Sequence, residues 1–279
     1  MIEIRNKRIN PPNSTKYNTL TMSNPNFPLN LDIRPSAPLG DAPNGDFDFT
    51  HQQEAIRVFG IAGKVWKAAY VLNTYINPPP DLIFDPPLFS DPDVRKNARI
   101  IELGAGTGIV AATMTTVLHT NDIMFVTDLP EVCPLLEQNL GRFLDGPIRV
   151  RPLSWAILST FPNYSPRFFA LFIQLSSPPF AAFNDDIEII ISYRVRSLAK
   201  ETPFWSAFGL WFEFAPVLAK KTDPSDDPTW RRFGVSLEDP TFVFVARRRK
   251  ESFGWQLPPS NEDLMQGVMA QGTLFAKER

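Results

Sequence analysis

The segment Glu102–Gly108 (ELGAGTG) carries the clearest chemical signal in the sequence, with glycine at its third, fifth and seventh positions. Glycine accepts backbone conformations that side chains disfavour, so this spacing predicts a tight turn whose backbone can approach a ligand closely. A short apolar run precedes the loop, over 99–103, and a predicted helix follows it, over 108–118. The start of that helix offers unpaired N–H groups, so the pattern favours a ligand site.

An acidic residue further along the chain indicates which kind of ligand this is. Asp128 ends the next predicted strand, over 124–128, and lies 20 residues beyond Gly108. At that place a carboxylate can accept hydrogen bonds from both hydroxyls of a ribose. Ile109 stands where a dinucleotide fingerprint requires glycine or alanine, which disfavours a pyrophosphate ligand and a nicotinamide oxidoreductase. The spacing therefore predicts a nucleotide-like ligand rather than a purely structural glycine turn.

Helices and strands alternate around this loop. Periodicity predicts helices over 63–76, 108–118, 130–143 and 203–217, and strands over 99–103, 124–128, 148–153, 187–193 and 241–246, while 168–175 fits either. The aromatic residues of 203–217 are expected to be buried. The alternation is typical of a doubly wound α/β fold with a mostly parallel sheet.

Composition narrows the class of protein. The chain has 279 residues, 43% of them hydrophobic, and 28 basic residues against 30 acidic ones. This balance gives no overall field that would attract nucleic acid or an anionic membrane. The single cysteine, Cys133, excludes an internal disulfide, and two histidines, His51 and His119, disfavour a histidine-built metal centre. No apolar run reaches the ~20 residues of a membrane helix.

These observations predict a reduced, metal-free, cytoplasmic protein. The basic run Arg247–Lys250 leaves a nuclear location open, although four charges beside a strand end are more typical of a solvated edge. The Asn-, Pro- and Ser-rich residues 1–45 predict a disordered or extended leader, followed by one domain over 46–279.

Four motifs together resemble a known family. They are the glycine loop, Thr127-Asp128-Leu129-Pro130, Gly63-Lys64-Val65-Trp66 and Leu153-Ser154-Trp155. The chain over 47–218 resembles the seven-strand, S-adenosylmethionine-dependent methyltransferases of family 16, the protein-lysine methyltransferases. Ser192-Tyr193, Arg196–Leu198 and Glu201–Trp205 resemble its fungal branch. The resemblance implies a Rossmann-like class I domain that acts as a monomer on a lysine of another protein, such as a translation elongation factor.

The resemblance also implies roles for individual residues. Glu102, Gly104 and Gly106 would surround the methionine part of S-adenosylmethionine, and Asp128 would hold its ribose. Leu129 and Trp155 would flank the adenine, and Trp66 would close the pocket. The pattern alone leaves Trp66 and Trp155 equally consistent with core positions, and Glu102 with a cap of the loop.

The sequence departs from the family after its third predicted strand. The resemblance implies an Asp-x-x-Tyr motif after the fourth strand, yet no acidic residue stands between Asp145 and Asp185. Only 31 residues separate Trp155 from Ile187, and no apolar strand follows 241–246. We therefore expect five strands, without the fourth and last strands of the family.

The catalytic residues stay unassigned for this reason. Tyr193, at the end of the strand over 187–193, is a substrate-side candidate because ligands gather at that end of such sheets. The alternative to an enzyme is a pseudoenzyme that binds cofactor or a partner without turnover.

Overall fold

A computed structural model describes residues 26–28, 31–37, 47–89, 97–154, 165–177, 187–223, 229–234, 240–258 and 261–266. In these residues the helices are α1 Phe49–Phe59, α2 Lys67–Ile76, α3 Ile109–Met114, α4 Cys133–Leu140, α5 Ser165–Leu175, α6 Leu198–Trp211 and α7 Asn261–Gln266. The strands are β1 Leu82–Asp85, β2 Arg99–Leu103, β3 Ile123–Asp128, β4 Ile148–Pro152, β5 Glu188–Arg194, β6 Phe212–Pro216, β7 Leu218–Lys221, β8 Arg231–Arg232 and β9 Thr241–Arg248. None of the described helices is both long and apolar enough to cross a membrane.

The first half of the domain is built on a parallel sheet. Its strands lie in the order β2-β3-β4, with Leu103 opposite Thr127 and Asp128 opposite Pro152. Alternate residues of β3 and β4 point into an aliphatic core that α3 and α4 cover. The carboxyl ends of all three strands therefore meet at one edge. This arrangement confirms the predicted α/β class with a parallel sheet.

The second half is built on an antiparallel sheet in the order β5-β9-β6. Helices α5, α6 and α7 pack on it through a core that is mostly aromatic. Phe208 is fully buried there and stacks on Phe212 at 4.6 Å between ring centroids. A small third sheet, β1-β7-β8, packs beside α2.

The prediction of one helix over 203–217 is wrong at its end. Helix α6 stops at Trp211, and the backbone of Phe212 is extended, with φ −126° and ψ 139°. Residues Phe212–Pro216 form β6 because Phe-Glu-Phe alternates with the period of a strand and pairs with β9. The described residues thus hold nine strands, four more than the five expected: β1, β6, β7 and β8 were not predicted. Residues 155–164 follow the third predicted strand, where the family would have its fourth. They lie outside the described residues.

The start of α2 also differs from the prediction. Residues Gly60–Gly63 form a 3-10 helix, and α2 begins only at Lys67, with Trp66 as its N-cap. Helix α1 was not predicted, and Gln52 is its buried residue. Its N-cap, Asp48, does carry a signal, since the side chain accepts the His51 N–H at 2.9 Å. Helix α3 and helix α4 are both shorter than predicted.

One buried amide ties the early segments together. The Oε1 atom of Gln52 accepts the N–H groups of Ser36 at 3.0 Å and Val65 at 3.1 Å. Its Nε2 atom donates to the carbonyls of Ser36 and Phe47, both at 3.0 Å. Residues 31–37, from the predicted leader, thus lie against α1 and the start of α2.

Candidate functional site

The glycine loop has the backbone that its spacing predicts. Gly104, Gly106 and Gly108 have φ values of 69°, 56° and 81°, in the left-handed region that favours glycine. The Ala105 N–H donates to the Thr127 carbonyl at 3.0 Å, which ties the loop to the end of β3. The loop therefore stands at the carboxyl edge of the parallel sheet.

Two of these glycines also permit close packing. A Cβ atom on Gly106 would lie 3.0 Å from the carbonyl oxygen of Ala62, in the 3-10 helix. A Cβ atom on Gly108 would lie 3.0 Å from the Leu136 side chain of α4. Larger residues would push the 3-10 helix and α4 away from the loop, so the close approach of both depends on glycine.

Asp128 is buried at the end of β3 and faces the loop. Its Oδ2 atom accepts the Gly106 N–H and its Oδ1 atom accepts the Leu129 N–H, both at 2.7 Å. Burial raises the pKa of Asp128, and these two N–H groups lower it in part. Each carboxylate oxygen can accept one further hydrogen bond. The residue is thus a buried acceptor held against the glycine loop.

Glu102, at the end of β2, has an unsatisfied carboxylate. Its Oε2 atom is buried and has no hydrogen-bond partner among the described residues. Burial and then the charge of Asp128 raise the pKa of Glu102, and the Ala111 N–H lowers it in part, which leaves it at about 8. A buried polar atom without a partner costs free energy, which a cationic donor on a ligand would recover. The orphaned oxygen favours a ligand-binding role over a mere cap of the loop.

Trp66 lies at the rim of this edge and is not a core residue. Its side chain is 39% exposed, and its Nε1 donates to the Ile61 carbonyl at 3.3 Å. Ile61 belongs to the 3-10 helix that approaches Gly106. The core alternative for Trp66 is therefore wrong. Trp155, the other tryptophan of the predicted pocket, lies outside the described residues.

Leu129 and Tyr193 have different surroundings. Leu129 is half-buried and follows Asp128 directly. Tyr193, near the end of β5, packs edge-to-face on Trp205 at 5.1 Å, and its hydroxyl is buried without a hydrogen-bond partner among the described residues. Burial, and then the nearby Glu201 carboxylate, raise the pKa of Tyr193 to about 12. The hydroxyl of Tyr193 thus lies toward α6.

Several contacts that hold the site together are not visible in the sequence. The Thr127 hydroxyl donates to the Glu102 carbonyl at 2.6 Å, and Asn139 Nδ2 donates to the Thr107 carbonyl at 2.9 Å. The Ser192 hydroxyl donates to the Ala68 carbonyl at 2.6 Å, which joins β5 to the start of α2. These residues are far apart in sequence, so no local pattern predicts their contacts.

A separate pocket of about 170 Å³ lies between α1 and α4. Its walls include Phe59, Thr107, Leu135 and Asn139, but none of the predicted cofactor-binding residues. It touches the back of the glycine loop and is distinct from the carboxyl-edge site. Within the described ranges, no group of three or more His, Cys, Asp or Glu residues is placed to hold a metal ion.

The loop, the acid after β3 and the orphaned carboxylate define the class of protein, an α/β protein with a nucleoside cofactor at the carboxyl edge of its sheet. The model of a lysine methyltransferase family matches residues 46–164. The four motifs that resemble such a family all lie within the matched residues. This similarity supports an S-adenosylmethionine-dependent methyltransferase with S-adenosylmethionine as its cofactor.

Solved structures similar to the chain include three further methyltransferases. A precorrin-6y C5,15-methyltransferase from Geobacter metallireducens is 15% identical, with 64% of this chain and 87% of that chain covered and a TM-score of 0.35. A putative rRNA methylase from Clostridium thermocellum is 9% identical, with 56% and 88% covered and a TM-score of 0.35. A SAM-dependent O-methyltransferase from Thermotoga maritima is 15% identical, with 56% and 60% covered and a TM-score of 0.35. None of these similarities assigns a substrate to this chain.

Proposed function

We propose that this protein transfers a methyl group from S-adenosylmethionine to a lysine side chain of another protein. The family match over residues 46–164 carries the proposal for lysine. The orphaned Oε2 atom of Glu102 beside Asp128 supports the cofactor site. A folded partner such as a translation elongation factor is the substrate class that the family resemblance implies.

The cofactor fits the groups at the carboxyl edge. Its α-ammonium is a cationic donor of the kind that Glu102 lacks, and the turn at Gly104 and Gly106 leaves room for its methionine part. Its ribose hydroxyls suit the remaining acceptor capacity of Asp128. Leu129 and Trp155 would flank the adenine.

The protein has little covalent chemistry to perform. The bound cofactor supplies an electrophilic methyl group, and the reaction needs the lysine nitrogen in line with it and water excluded. Trp66, at the rim, would close the site on the cofactor side. A lysine with an ordinary pKa of ~10.4 must first lose its proton. Tyr193 is our substrate-side candidate, and the residue that orients the lysine is not assigned.

Two measurements test this function. Calorimetric titration with S-adenosylmethionine should show binding that Asp128→Ala weakens strongly. Incubation of a cell extract with tritiated S-adenosylmethionine should then label a protein band in the presence of the wild-type enzyme and not of the variant. Acid hydrolysis of that band should yield methylated lysine.

Other outcomes would change the assignment. Label in RNA or in a small molecule would contradict the protein substrate. Cofactor binding without any label would favour the pseudoenzyme, which the missing Asp-x-x-Tyr motif also supports.

A further inference from the structure

Two basic residues lie against the Trp66 ring at the carboxyl edge, and two more lie close to the first of them. The Lys64 Nζ atom lies 5.4 Å from the centroid of the Trp66 ring, and the Arg196 Cζ atom lies 5.3 Å from it. Burial lowers the pKa of Lys64, and the nearby charges of Arg194 and Lys67 lower it further. We call Lys64, Trp66, Lys67, Arg194 and Arg196 the Trp66 rim.

The rim has a local excess of positive charge. Lys64 donates to the backbone carbonyl of Arg34 at 2.6 Å, and neither its side chain nor that of Arg196 forms an ion pair with a carboxylate among the described residues. Two carboxylates lie nearby. Asp32 is paired with Arg34 at 2.6 Å, and Glu201 accepts the backbone N–H groups of Arg196 and Ser197. The whole chain has a net charge of −2, so this concentration of basic residues is local.

The rim adjoins the cofactor loop. Trp66 is tied to Ile61, and the same 3-10 helix approaches Gly106. On the other side, Arg194 ends β5 and Arg196 follows it, and Ser192 of the same strand is bonded to the start of α2. Leu198, 71% exposed, adds an apolar contact close by in the chain. The rim therefore lies beside the glycine loop.

We propose that the Trp66 rim binds a stretch of the substrate protein that carries carboxylates beside the target lysine. This inference rests on the proposed function. The basic rim would repel the ammonium group of a target lysine that has no acidic neighbours. Carboxylates on either side of that lysine would make the net electrostatic interaction with the rim attractive. The rim is a compact cluster rather than a long basic stripe, and the chain has a pI of ≈ 5.8. Proteins that bind along nucleic acid phosphates usually have a basic stripe and a high pI, so a protein substrate is favoured over nucleic acid.

The test compares two short fluorescent peptides, each with one lysine flanked on both sides by glutamates or by glutamines. Fluorescence anisotropy at low salt should show about tenfold tighter binding of the glutamate peptide, and about 300 mM salt should remove most of the difference. The double variant Lys67→Glu with Arg196→Glu should lose the preference. Both positions are exposed, so this variant should fold and bind cofactor as the wild type does.

The matched control is Arg99→Glu with Arg142→Glu, which makes the same change of charge at the opposite, amino edge of the parallel sheet. It should keep the full preference. Equal binding of the two peptides, or a preference that survives Lys67→Glu with Arg196→Glu, would overturn the proposal. Tighter binding of a single-stranded RNA through the same two residues would overturn it as well.

The labelling assay separates this proposal from the proposed function. The wild-type protein could label nothing in the extract while the rim still prefers the glutamate peptide. That result would contradict the proposed methyl transfer and support the proposed binding of an acidic segment. If labelling occurs and the peptides bind equally, the methyl transfer stands and the rim proposal fails.

Discussion

The parallel sheet β2-β3-β4 and the antiparallel sheet β5-β9-β6 have three strands each. They differ in whether a buried ionisable side chain beside the sheet has a complete set of hydrogen bonds. At the edge of the parallel sheet, the Oε2 atom of Glu102 is buried without a partner. In the antiparallel half, the half-buried Arg248 has partners for all of its nitrogen atoms. An incomplete set of hydrogen bonds points to a ligand, whereas a complete set points to a structural role.

The contacts of Arg248 show what a structural charge looks like. Its Nη1 donates to the Ile173 carbonyl at 2.9 Å and to the Ser177 hydroxyl, and its Nε and Nη2 donate to Ser252 at 3.0 and 2.8 Å. Its cation lies 5.5 Å from the Trp211 ring centroid. The expectation of a solvated basic edge over Arg247–Lys250 is therefore wrong for Arg248, which joins α5 to the end of β9.

The largest effect is expected in the aromatic core. Phe208 is fully buried between Phe204 and Phe212, so Phe208→Ala should lower the free energy of unfolding by about 4 kcal/mol through lost contacts and a cavity. Urea denaturation measures the loss. Leu198→Ala, on the exposed side of the same helix, should cost less than about 0.5 kcal/mol. A loss below about 1 kcal/mol for Phe208→Ala would mean that the aromatic core is not tightly packed.

The next effect belongs to the carboxyl edge. Asp128→Ala should weaken S-adenosylmethionine binding roughly 100-fold, because hydrogen bonds to a charged group contribute more than neutral ones. Its control is Asp122→Ala, at the other end of β3. Asp122 also accepts two backbone N–H groups, from Ala98 at 2.7 Å and His119 at 2.6 Å.

Calorimetry on the folded proteins distinguishes the two aspartates. Asp122→Ala should lower stability and leave the affinity for cofactor unchanged. If Asp128→Ala also left the affinity unchanged, the ribose would have to bind elsewhere.

Arg248→Met should lower the free energy of unfolding by about 2 kcal/mol, because carbonyl and hydroxyl groups of α5 would lose their donor. Cofactor affinity of the folded protein should not change. Arg249→Met is the neighbouring control, since the side chain of exposed Arg249 makes one hydrogen bond among the contacts described, to the Gly209 carbonyl at 2.8 Å. Equal losses for both variants in urea denaturation would show that Arg248 is only a surface charge.

The most gradual effect is a pH dependence that Glu102 should produce. Its pKa is raised from 4.5 to about 8, so between these values the folded protein holds a proton that the unfolded chain has lost. Stability should therefore fall as pH rises through this window, by at most ~1.4 kcal/mol per pH unit, and level off above it. Asp128, whose pKa is also raised, adds a change of the same sign.

Urea denaturation at several pH values between about 5 and 9 measures this slope. Glu102→Gln should flatten it, since glutamine does not titrate. A slope that persists undiminished in Glu102→Gln would assign the proton to another group.

The sequence predicts the parallel half of the molecule well and the antiparallel half less well. Strands β2, β3 and β4 and the glycine turn follow from short, local patterns, and the structure confirms them. Strand β6 was missed because the aromatic residues continue without a break from α6. The role of Arg248 depends on partners more than 70 positions away, which no local pattern contains.

The candidate site divides in the same way. Asp128 was placed from its spacing to the glycine loop, and the structure brings the two together. The roles of Glu102, Leu129 and Trp66 rested on the family resemblance, and their binding roles remain predictions. The Trp66 rim combines residues from the start of α2 and the end of β5, so only the folded chain reveals it. Trp155 also remains a prediction.

The buried amide of Gln52 limits how short a recombinant fragment can be. A fragment that starts at residue 46, where the family match begins, would keep Gln52 but lose both backbone groups of Ser36 that pair with it. Tyr70 would lose its acceptor at the same place. We expect such a fragment to be digested by proteases faster than one that starts at residue 26, because α1 and the approach to Trp66 would loosen together. The segment before the family match thus stabilises α1 and α2 through the backbone of Ser36.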